Sequence, residues 1–530
     1  MPDRIETRPR TASVPPVSTP PDRSGPAQAP GPHLPGVQNP AVQNPGAQNP
    51  PASALSAAQR RAVAELMRVS PVADDLARRF AAAGESLALV GGSVRDALLG
   101  RLGHDLDFTT SARPERTSAV LRGWAEAVWD VGAAFGTIGA RKDGFQLEIT
   151  TWRSDAYDRD SRKPAVIYGD SLQADLARRD FTVNAMAVAL PGATFVDPYG
   201  GLTDLAARVL RTPLGPDVSF SDDPLRMLRA ARFAAQLDFG VDPGVADAMA
   251  EMAGRIGIVS AERVRDEIVK LVCGDHPRRG LELLVGSGLG ALVLPEVPLL
   301  RLEIDEHHRH KDVYEHTLTV LEQAIGLEEP GGTPDFVLRF AALMHDVGKP
   351  RTRRNEAGGR VSFHHHEVVG AQLTRARMKA LRFDKQTTED VTRLVELHLR
   401  FHGYGTGEWT DSAVRRYVRD AGGLLPRLHR LTRADCTTRN KRKAAALARS
   451  YDSLTERIDV LAAEEELAAI RPDLDGNAIM ALLGVPPGPV VGQAYAYLLE
   501  QRLDRGPLGR AEAEAALLAW WADRSAPGGS

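Results

Sequence analysis

Four consecutive apolar residues, Leu87 to Val90, stop at Gly91-Gly92, and that run predicts a short buried strand that turns at the glycines. A short helix is expected from Ser93, a good N-cap, to a stop at Gly100. Strict alternation follows in Asp105-Leu-Asp107-Phe and again in Gln146-Leu-Glu148-Ile-Thr150. Each reads as a strand; in the second, Leu147 and Ile149 face a core while Glu148 shares the other face with Gln146 and Thr150. Two amphipathic helices are expected between Ala54 and the first strand. Pro224 suits a helical first turn with Asp222 and Asp223 at the cap, and Arg226, Arg229 and Arg232 recur at i, i+3 and i+6 as one basic stripe. Beyond Pro295 the chain reads as helical and rich in His; beyond Lys441 it becomes Ala-rich helix, broken by the rigid turn Gly484–Gly492.

These elements predict an α+β protein: a small mixed-sheet head, an all-α neck, a second all-α domain and a helical tail. The expected boundaries are 1–53 for a Pro/Gln/Asn-rich tail, 54–200 for the head, 201–295 for the neck, 296–450 for the His-rich domain and 451–530 for the helical tail. The first segment repeats Gly-Val-Gln-Asn-Pro, Ala-Val-Gln-Asn-Pro and Gly-Ala-Gln-Asn-Pro from Gly36 to Pro50. Such a composition buries too little apolar area to offset its ordering entropy, so disorder is expected there. The loop Trp152–Ser171 is dense in charge and short of apolar anchors, which predicts mobility.

Composition narrows the class. A chain of 530 residues supports three or four domains, and a net charge of −3 means that any nucleic-acid contact must come from local basic patches. Two cysteines, Cys273 and Cys436, imply no disulfide framework and point to a reducing cytoplasm. No run approaches the ~20 apolar residues of a membrane span, and the N-terminus lacks a signal-peptide core. The oligomeric state is not set by the sequence.

The candidate chemistry begins at the glycine turn. Gly91 and Gly92 let the backbone approach a phosphate, the N–H groups opening the helix favour negative charge, and Arg95 adds a guanidinium fork. Asp105 and Asp107 share one face of a strand, about 6.5–7 Å apart along the backbone. Their mutual repulsion is relieved by divalent cations, and hard oxygen ligands beside a phosphate-binding turn suit Mg²⁺. Glu148 is the candidate third carboxylate.

The ordered set Leu-Val-Gly-Gly-x-Val-Arg-Asp-x-Leu-Leu-Gly followed by Asp105-Leu-Asp107-Phe resembles the polymerase-β-like nucleotidyltransferase superfamily. Within it, the match is to the class II tRNA nucleotidyltransferases (CCA-adding enzymes) and bacterial poly(A) polymerases. Arg178-Arg179-Asp180-Phe-Thr-Val-Asn-Ala, which alone could be a surface ion pair, resembles a family motif. The resemblance implies that the Arg pair binds triphosphate and Asp180 holds the ribose. Asp222-Asp223-Pro-Leu-Arg226 resembles the family's Glu-Asp-x-x-Arg motif, whose Asp and Arg read the base edge; here these are Asp223 and Arg226, with Asp222 standing where Glu is usual. A carboxylate accepts the exocyclic amine shared by C and A, and a guanidinium donates to the ring nitrogen or carbonyl. Arg229 and Arg232 are further phosphate candidates.

Downstream, His316, His345-Asp346 and Asp435 occur in the order of the HD-type phosphohydrolases, whose members ligate a metal with such a set. His366 and His398 are placed for a second ion. Imidazoles with carboxylates suit Mn, Ni, Fe or Zn more than Ca. His307, His308, His310, His364, His365 and His402 read as surface or supporting residues, and Arg439–Lys443 as either an RNA contact or a solvated helix end. The resemblance implies an enzyme that adds C, C and A to the tRNA 3′ end from CTP and ATP, releasing pyrophosphate, with a metal-dependent phosphohydrolase domain. The alternatives are a poly(A) polymerase, an enzyme adding only CC or only A, and a phosphohydrolase whose head merely binds RNA.

Overall fold

The computed structural model describes residues 55–69, 71–101, 103–130, 132–153, 168–301, 312–356, 361–401, 409–438, 440–465 and 471–525. The expected disorder of the first 53 residues, most of the loop 152–171, and His307, His308, His310, His402 and Arg439 fall outside them. Helices α1 (Ala57–Val69) and α2 (Pro71–Ala82) precede strand β1 (Leu87–Val90), as their amphipathic pattern predicts. β1 is apolar at every position because both of its faces are covered. Leu87 and Leu89 join a core with Leu76 and Phe80, while Ala88 and Val90 pack with Leu176 and Ala185.

After α3 (Gly92–Leu98) come β2 (Asp105–Thr110), α4 (Pro114–Leu121), β3 (Ala127–Trp129), β4 (Thr137–Lys142) and β5 (Phe145–Thr151). Then follow α5 (Leu172–Ala177), β6 (Ala187–Leu190) and β7 (Thr194–Val196). The seven strands form one sheet in the order β3-β4-β5-β2-β1-β6-β7. Within it β2 and β5 run parallel and the other pairs antiparallel, so the sheet is mixed, as expected. The β2–β5 register sets Asp105 opposite Gln146 and Asp107 opposite Glu148, with Leu106 and Leu147 buried on the reverse face.

The next layer is helical: α6 (Gly201–Ala207), α7 (Pro216–Asp222), α8 (Leu225–Leu237), α9 (Pro243–Met252), α10 (Ala261–Val272), α11 (Pro277–Gly286) and α12 (Leu289–Val293). α8 is buried almost all round, with Ala230, Ala231, Ala234 and Ala235 allowing α10 and α11 to approach. A larger all-helical layer follows: α13 (Val313–Gly326), α14 (Phe336–Met344), α15 (Lys349–Thr352), α16 (His366–Ala380), α17 (Lys385–Leu397), α18 (Asp411–Ala421), α19 (Leu425–Ala434) and α20 (Lys441–Glu465). At the end, α21 (Gly476–Leu483), α22 (Pro489–Arg505) and α23 (Arg510–Ser525) carry their own small core of Leu474, Ile479, Leu498 and Leu517.

Two expectations need correction. The neck and the His-rich segment are not wholly helical. β8 (Val209–Leu210) pairs with β9 (Gly240–Val241), and β10 (Arg354–Asn355) with β11 (Val361–Ser362); these two-residue ladders carry no periodicity long enough to read from sequence. Ser93 also does not cap its helix. Gly91 holds the cap at φ 69°, and the Ser93 hydroxyl instead donates to the Asp105 carbonyl and accepts from the Asp107 N–H at 3.0 Å.

Gly348 lies where the His345-Asp346 segment crosses α16. A methyl group there would overlap the His366 carbonyl and approach the Gly370 nitrogen at 2.7 Å. Both obstacles are backbone, so Gly348→Ala is expected to cost at least about 2 kcal/mol, measured as a fall in the denaturant midpoint at unchanged m-value.

Candidate functional sites

In the head, close backbone approach is built in at Gly91: a Cβ there would meet Arg179 Nη1 at 3.2 Å and Asp107 Oδ2 at 3.5 Å. α3 therefore opens directly onto the Asp107 carboxylate. Burial pushes the Asp107 carboxyl above its usual range; Arg179 opposes the shift, Glu148 and Asp105 add to it, and Arg95 opposes it. A like-charge cluster of this kind is relieved by a divalent cation, so the residues present fit Mg²⁺. Asp105 and Glu148 are exposed on the same sheet face.

Asp107 lies where two clefts meet. The larger, of about 780 Å³, is lined by Glu148, Arg178, Asp223, Arg226 and Arg263 among others; the smaller, of about 330 Å³, by Gly91, Gly92, Arg95, Arg232 and Lys270. Arg179, Asp180 and Arg229 border both. The smaller cleft gathers five cations around the glycine turn, a setting for a polyphosphate.

Each arginine is aimed by a partner. Asp175 is fully buried and accepts from Arg178 at 2.7 Å, from Arg179 at 3.2 Å and from the Thr109 hydroxyl at 3.1 Å. Burial works to raise its carboxyl, but the two guanidiniums win and hold it below the usual range. Buried Asp180 accepts from Arg229 Nε at 2.8 Å, from Asn184 at 3.0 Å and from the Phe181 N–H at 2.8 Å. Arg229 and these donors overcome desolvation and hold its carboxyl far below the usual range. Arg226 donates to Ser219 Oγ at 2.9 Å and to the Arg178 carbonyl. Arg232 meets Glu267 at 3.0 Å, and burial together with Arg229 lowers its guanidinium to about 10.

Arg226, Arg229 and Arg232 of the expected stripe make their shortest contacts with Ser219 and the Arg178 carbonyl, Asp180 and Glu267 respectively, and Arg229 also lies 4.0 Å from Glu267. Asp223 caps Leu225 N–H at 3.1 Å with Oδ1 and takes Arg263 at 2.9 Å on Oδ2. Asp175, Ser219, Arg263, Glu267 and Lys270 escaped the sequence reading. Only Asp175 left a signal, three and four residues before the Arg pair; the others depend on long-range packing.

The second cluster is made by helix ends. His345, His398 and Asp435 are the C-terminal caps of α14, α17 and α19, and His366 opens α16. Three C-termini converging bring partial negative charge that favours a cation. His316 Nε2 lies 3.0 Å from Asp435 Oδ1 and 3.4 Å from His345 Nε2, which is 3.2 Å from Asp346 Oδ2. Asp346 Oδ1 faces the other way, 3.2 Å from His366 Nε2.

Backbone carbonyls hold Nδ1 of His345, His366 and His398 at 2.8, 2.8 and 2.6 Å. With Nδ1–H so engaged, each Nε2 lone pair faces the cluster, as metal ligation requires. Burial, with His345 and His366 adding to it, lowers His398 to about 3, and its buried Nε2 has no hydrogen-bond partner. Among the described residues, the groups able to grip an ion are His316-His345-Asp346 and Asp346-His366-His398, with Asp346 common to both. All six expected residues are thus brought together. Lys349, which the sequence reading missed, sits 2.8 Å from Asp346 Oδ2.

Comparison with known proteins follows the same division. Residues 87–211 match the Poly A polymerase head domain, 238–300 the probable RNA and SrmB-binding site of polymerase A, and 313–440 the HD domain. The chain is 37% identical to the A-adding tRNA nucleotidyltransferase of Deinococcus radiodurans, over 83% of this chain and 96% of that one. The chain belongs to the tRNA nucleotidyltransferase family. It is 33% identical to the CC-adding tRNA nucleotidyltransferase of Thermus thermophilus, over 82% of this chain and 94% of that one. With the CCA-adding enzyme of Streptococcus suis it shares 41% identity, over 39% of this chain and 51% of that one. The Bacillus stearothermophilus CCA-adding enzyme in complex with CTP has the same fold, with a TM-score of 0.60 at 22% identity over 89% of this chain and 99% of that one. The nucleotidyltransferase head and the HD domain anticipated from the motifs are therefore both present, and the chain is an enzyme of this family. No described helix is long and apolar enough to cross a membrane.

A carboxyl held more protonated in the folded chain than in the unfolded one costs stability when it ionises. Asp107→Asn in metal-free protein is therefore expected to melt at the same or a higher temperature at neutral pH while nucleotide addition falls at least about 10³-fold. A lower melting temperature would contradict the origin assigned to the Asp107 shift.

Proposed function

We propose that the protein adds C, C and A to the 3′ end of tRNA from CTP and ATP, with release of pyrophosphate. The observation that carries this reading is the position of Asp107, between a cation-lined cleft suited to a triphosphate and a cleft ending in an Asp–Arg pair suited to a base edge. Arg95, Arg179, Arg229 and Arg232 hold the phosphates beside Gly91 and Gly92, and Arg178 borders the larger cleft. Asp180 fixes Arg229 and borders the ribose position. Asp223 accepts the exocyclic amine of C or A while Arg226, anchored on Ser219, donates to the ring. U and G present the opposite pattern at those positions, so selection needs no nucleic-acid template. Asp105 and Asp107, with Glu148 assisting, would hold Mg²⁺, which when bound would supply activation of the 3′-OH and neutralisation of the leaving group.

The HD cluster is read as a phosphohydrolase centre for one or two transition-metal ions, of the Mn, Ni, Fe or Zn class. His316, His345, Asp346 and Asp435 would hold the first, His366 and His398 with Asp346 the second. The domain limits proposed above place the head at 54–200, the neck at 201–295, the HD domain at 296–450 and the helical tail at 451–530, acting in the cytoplasm. A narrower reading, addition of A alone or CC alone, is favoured by one fact: the relatives so named align over nearly their whole length, the CCA-adding enzyme of Streptococcus suis over half of its own.

Incubation with Mg²⁺ and tRNA lacking its last three nucleotides, with CTP, ATP or both, separates the readings. CC from CTP and CCA from both is the expected result; CC with no A, or A only on tRNA ending in CC, selects the narrower activity, and ATP tailing of varied RNA selects a poly(A) polymerase. Asp105→Ala is expected to abolish addition and spare phosphohydrolysis, and His345→Ala to do the reverse. Asp223→Ala should cut discrimination of CTP over UTP at least about tenfold, read as the ratio of kcat/KM values; an unchanged ratio removes Asp223 from base selection.

A further inference from the structure

The sheet register places an aromatic side chain beside the catalytic carboxylates. Trp129 pairs with Gly139, Gly139 with Glu148, and Glu148 with Asp107, a single row across β3, β4, β5 and β2. Directly opposed residues share a face. A Cβ on Gly139 would overlap the Trp129 indole, so the ring lies across Gly139 on the face that bears Glu148 and Asp107.

A second aromatic borders the same region. Phe135 is 51% exposed and lines the larger cleft together with Glu148, Thr150 and Arg153. Its turn is held by Gly136 at φ 81° and by the Thr137–Thr150 hydroxyl contact at 2.9 Å. Arg141 shares the face of Gly139 two residues along the strand, exposed and 3.5 Å from Glu126.

Sheet order then decides what these rings meet. The glycine turn follows β1, on one side of β2; β5, β4 and β3 lie on the other. In-line phosphoryl transfer sets the attacking oxygen opposite the departing pyrophosphate. With the triphosphate on the β1 side, the RNA end must enter from the side of β4 and β3. We propose that Trp129 and Phe135 form the stacking subsite for the terminal nucleotide of the RNA acceptor, an inference that rests on the reading of the head as a nucleotide-adding site. A π-face takes any base, which suits a subsite that receives a different terminal residue at each addition.

The test compares Trp129→Ala and Phe135→Ala with Trp129→Phe and Phe135→Tyr, all checked by thermal melting. KM is measured for tRNA lacking its last three nucleotides at saturating CTP, and for CTP at saturating tRNA. Each Ala variant should raise the RNA KM about tenfold or more, with the CTP KM and both aromatic variants within about twofold of wild type. RNA KM within twofold of wild type in both Ala variants, or RNA and CTP KM rising together, overturns the subsite. Wild-type addition is measured first; its absence refutes the head reading, and the subsite is then decided by anisotropy of a labelled single-stranded RNA ending in a 3′-OH. Equal affinity of wild type and Ala variants overturns the proposal, and loss of affinity in the Ala variants alone supports it.

Discussion

The ion pair between Asp180 and Arg229 joins the sheet to the helical layer at the point where both clefts open. Asp180 follows α5 in the head and Arg229 lies on α8 of the neck, with Nε 2.8 Å from Oδ2. Removing the guanidinium would leave a buried carboxylate with only Asn184 and one backbone N–H, at a cost of about 3 kcal/mol or more. Arg226 adds a second tie by donating to the Arg178 carbonyl. The smaller cleft takes Gly91, Gly92, Arg95 and Arg179 from the head and Arg229, Arg232 and Lys270 from the neck, and the larger cleft likewise draws on both. The alignment of the two layers therefore depends on these few charge-assisted hydrogen bonds together with a shared apolar core in which Phe181 meets Phe233 edge to face.

The two candidate metal centres solve the same electrostatic problem by different means. In the head, Asp105, Asp107 and Glu148 stand on neighbouring strands, two of them exposed, and arginines lie close enough to compete for Asp107. An open carboxylate group flanked by cations suits an ion that exchanges readily. In the HD domain the ligands sit at helix ends, and Nδ1 of three imidazoles is fixed by carbonyls of their own turns. That arrangement sets each ring before an ion arrives and suits a resident metal.

What could be read from sequence was whatever is encoded within a few residues. The unbroken run Leu87–Val90, the alternation in β2 and β5, and the His-Asp pair each fix local geometry through periodicity or adjacency. The failures share a cause. Ser93 looked like a cap, but its hydroxyl is committed to β2, a contact that depends on how the turn folds back. The arginines of α8 were placed on one stripe correctly, yet their acceptors Ser219, Asp180 and Glu267 lie up to 49 residues away. Gly139 gave no hint that an indole from another strand would lie over it. Tertiary packing, and for Gly139 the pairing register of β3 with β4, decided these, and no local pattern states either.

The packing of α10 extends the same logic into the HD domain. This helix carries Arg263 and Glu267 toward Asp223 and Arg232, and Lys270 into the smaller cleft. At its C-terminal end, the Val272 and Gly274 carbonyls accept from the buried Arg339 at 3.2 and 2.8 Å, and Arg339 is itself held by Glu328 at 2.7 Å. Arg339 lies on α14, whose C-terminal cap is His345. Carbonyls at a helix end lack partners within the helix, and a guanidinium satisfies them better than water can when the end is buried. One capped helix terminus thereby links the element that sends Lys270 into the smaller cleft to the element that ends at His345. Any displacement of α10 that withdrew its carbonyls would leave a buried Arg339 short of acceptors, so the neck and the HD domain are held in fixed register by hydrogen-bond satisfaction as well as by apolar packing.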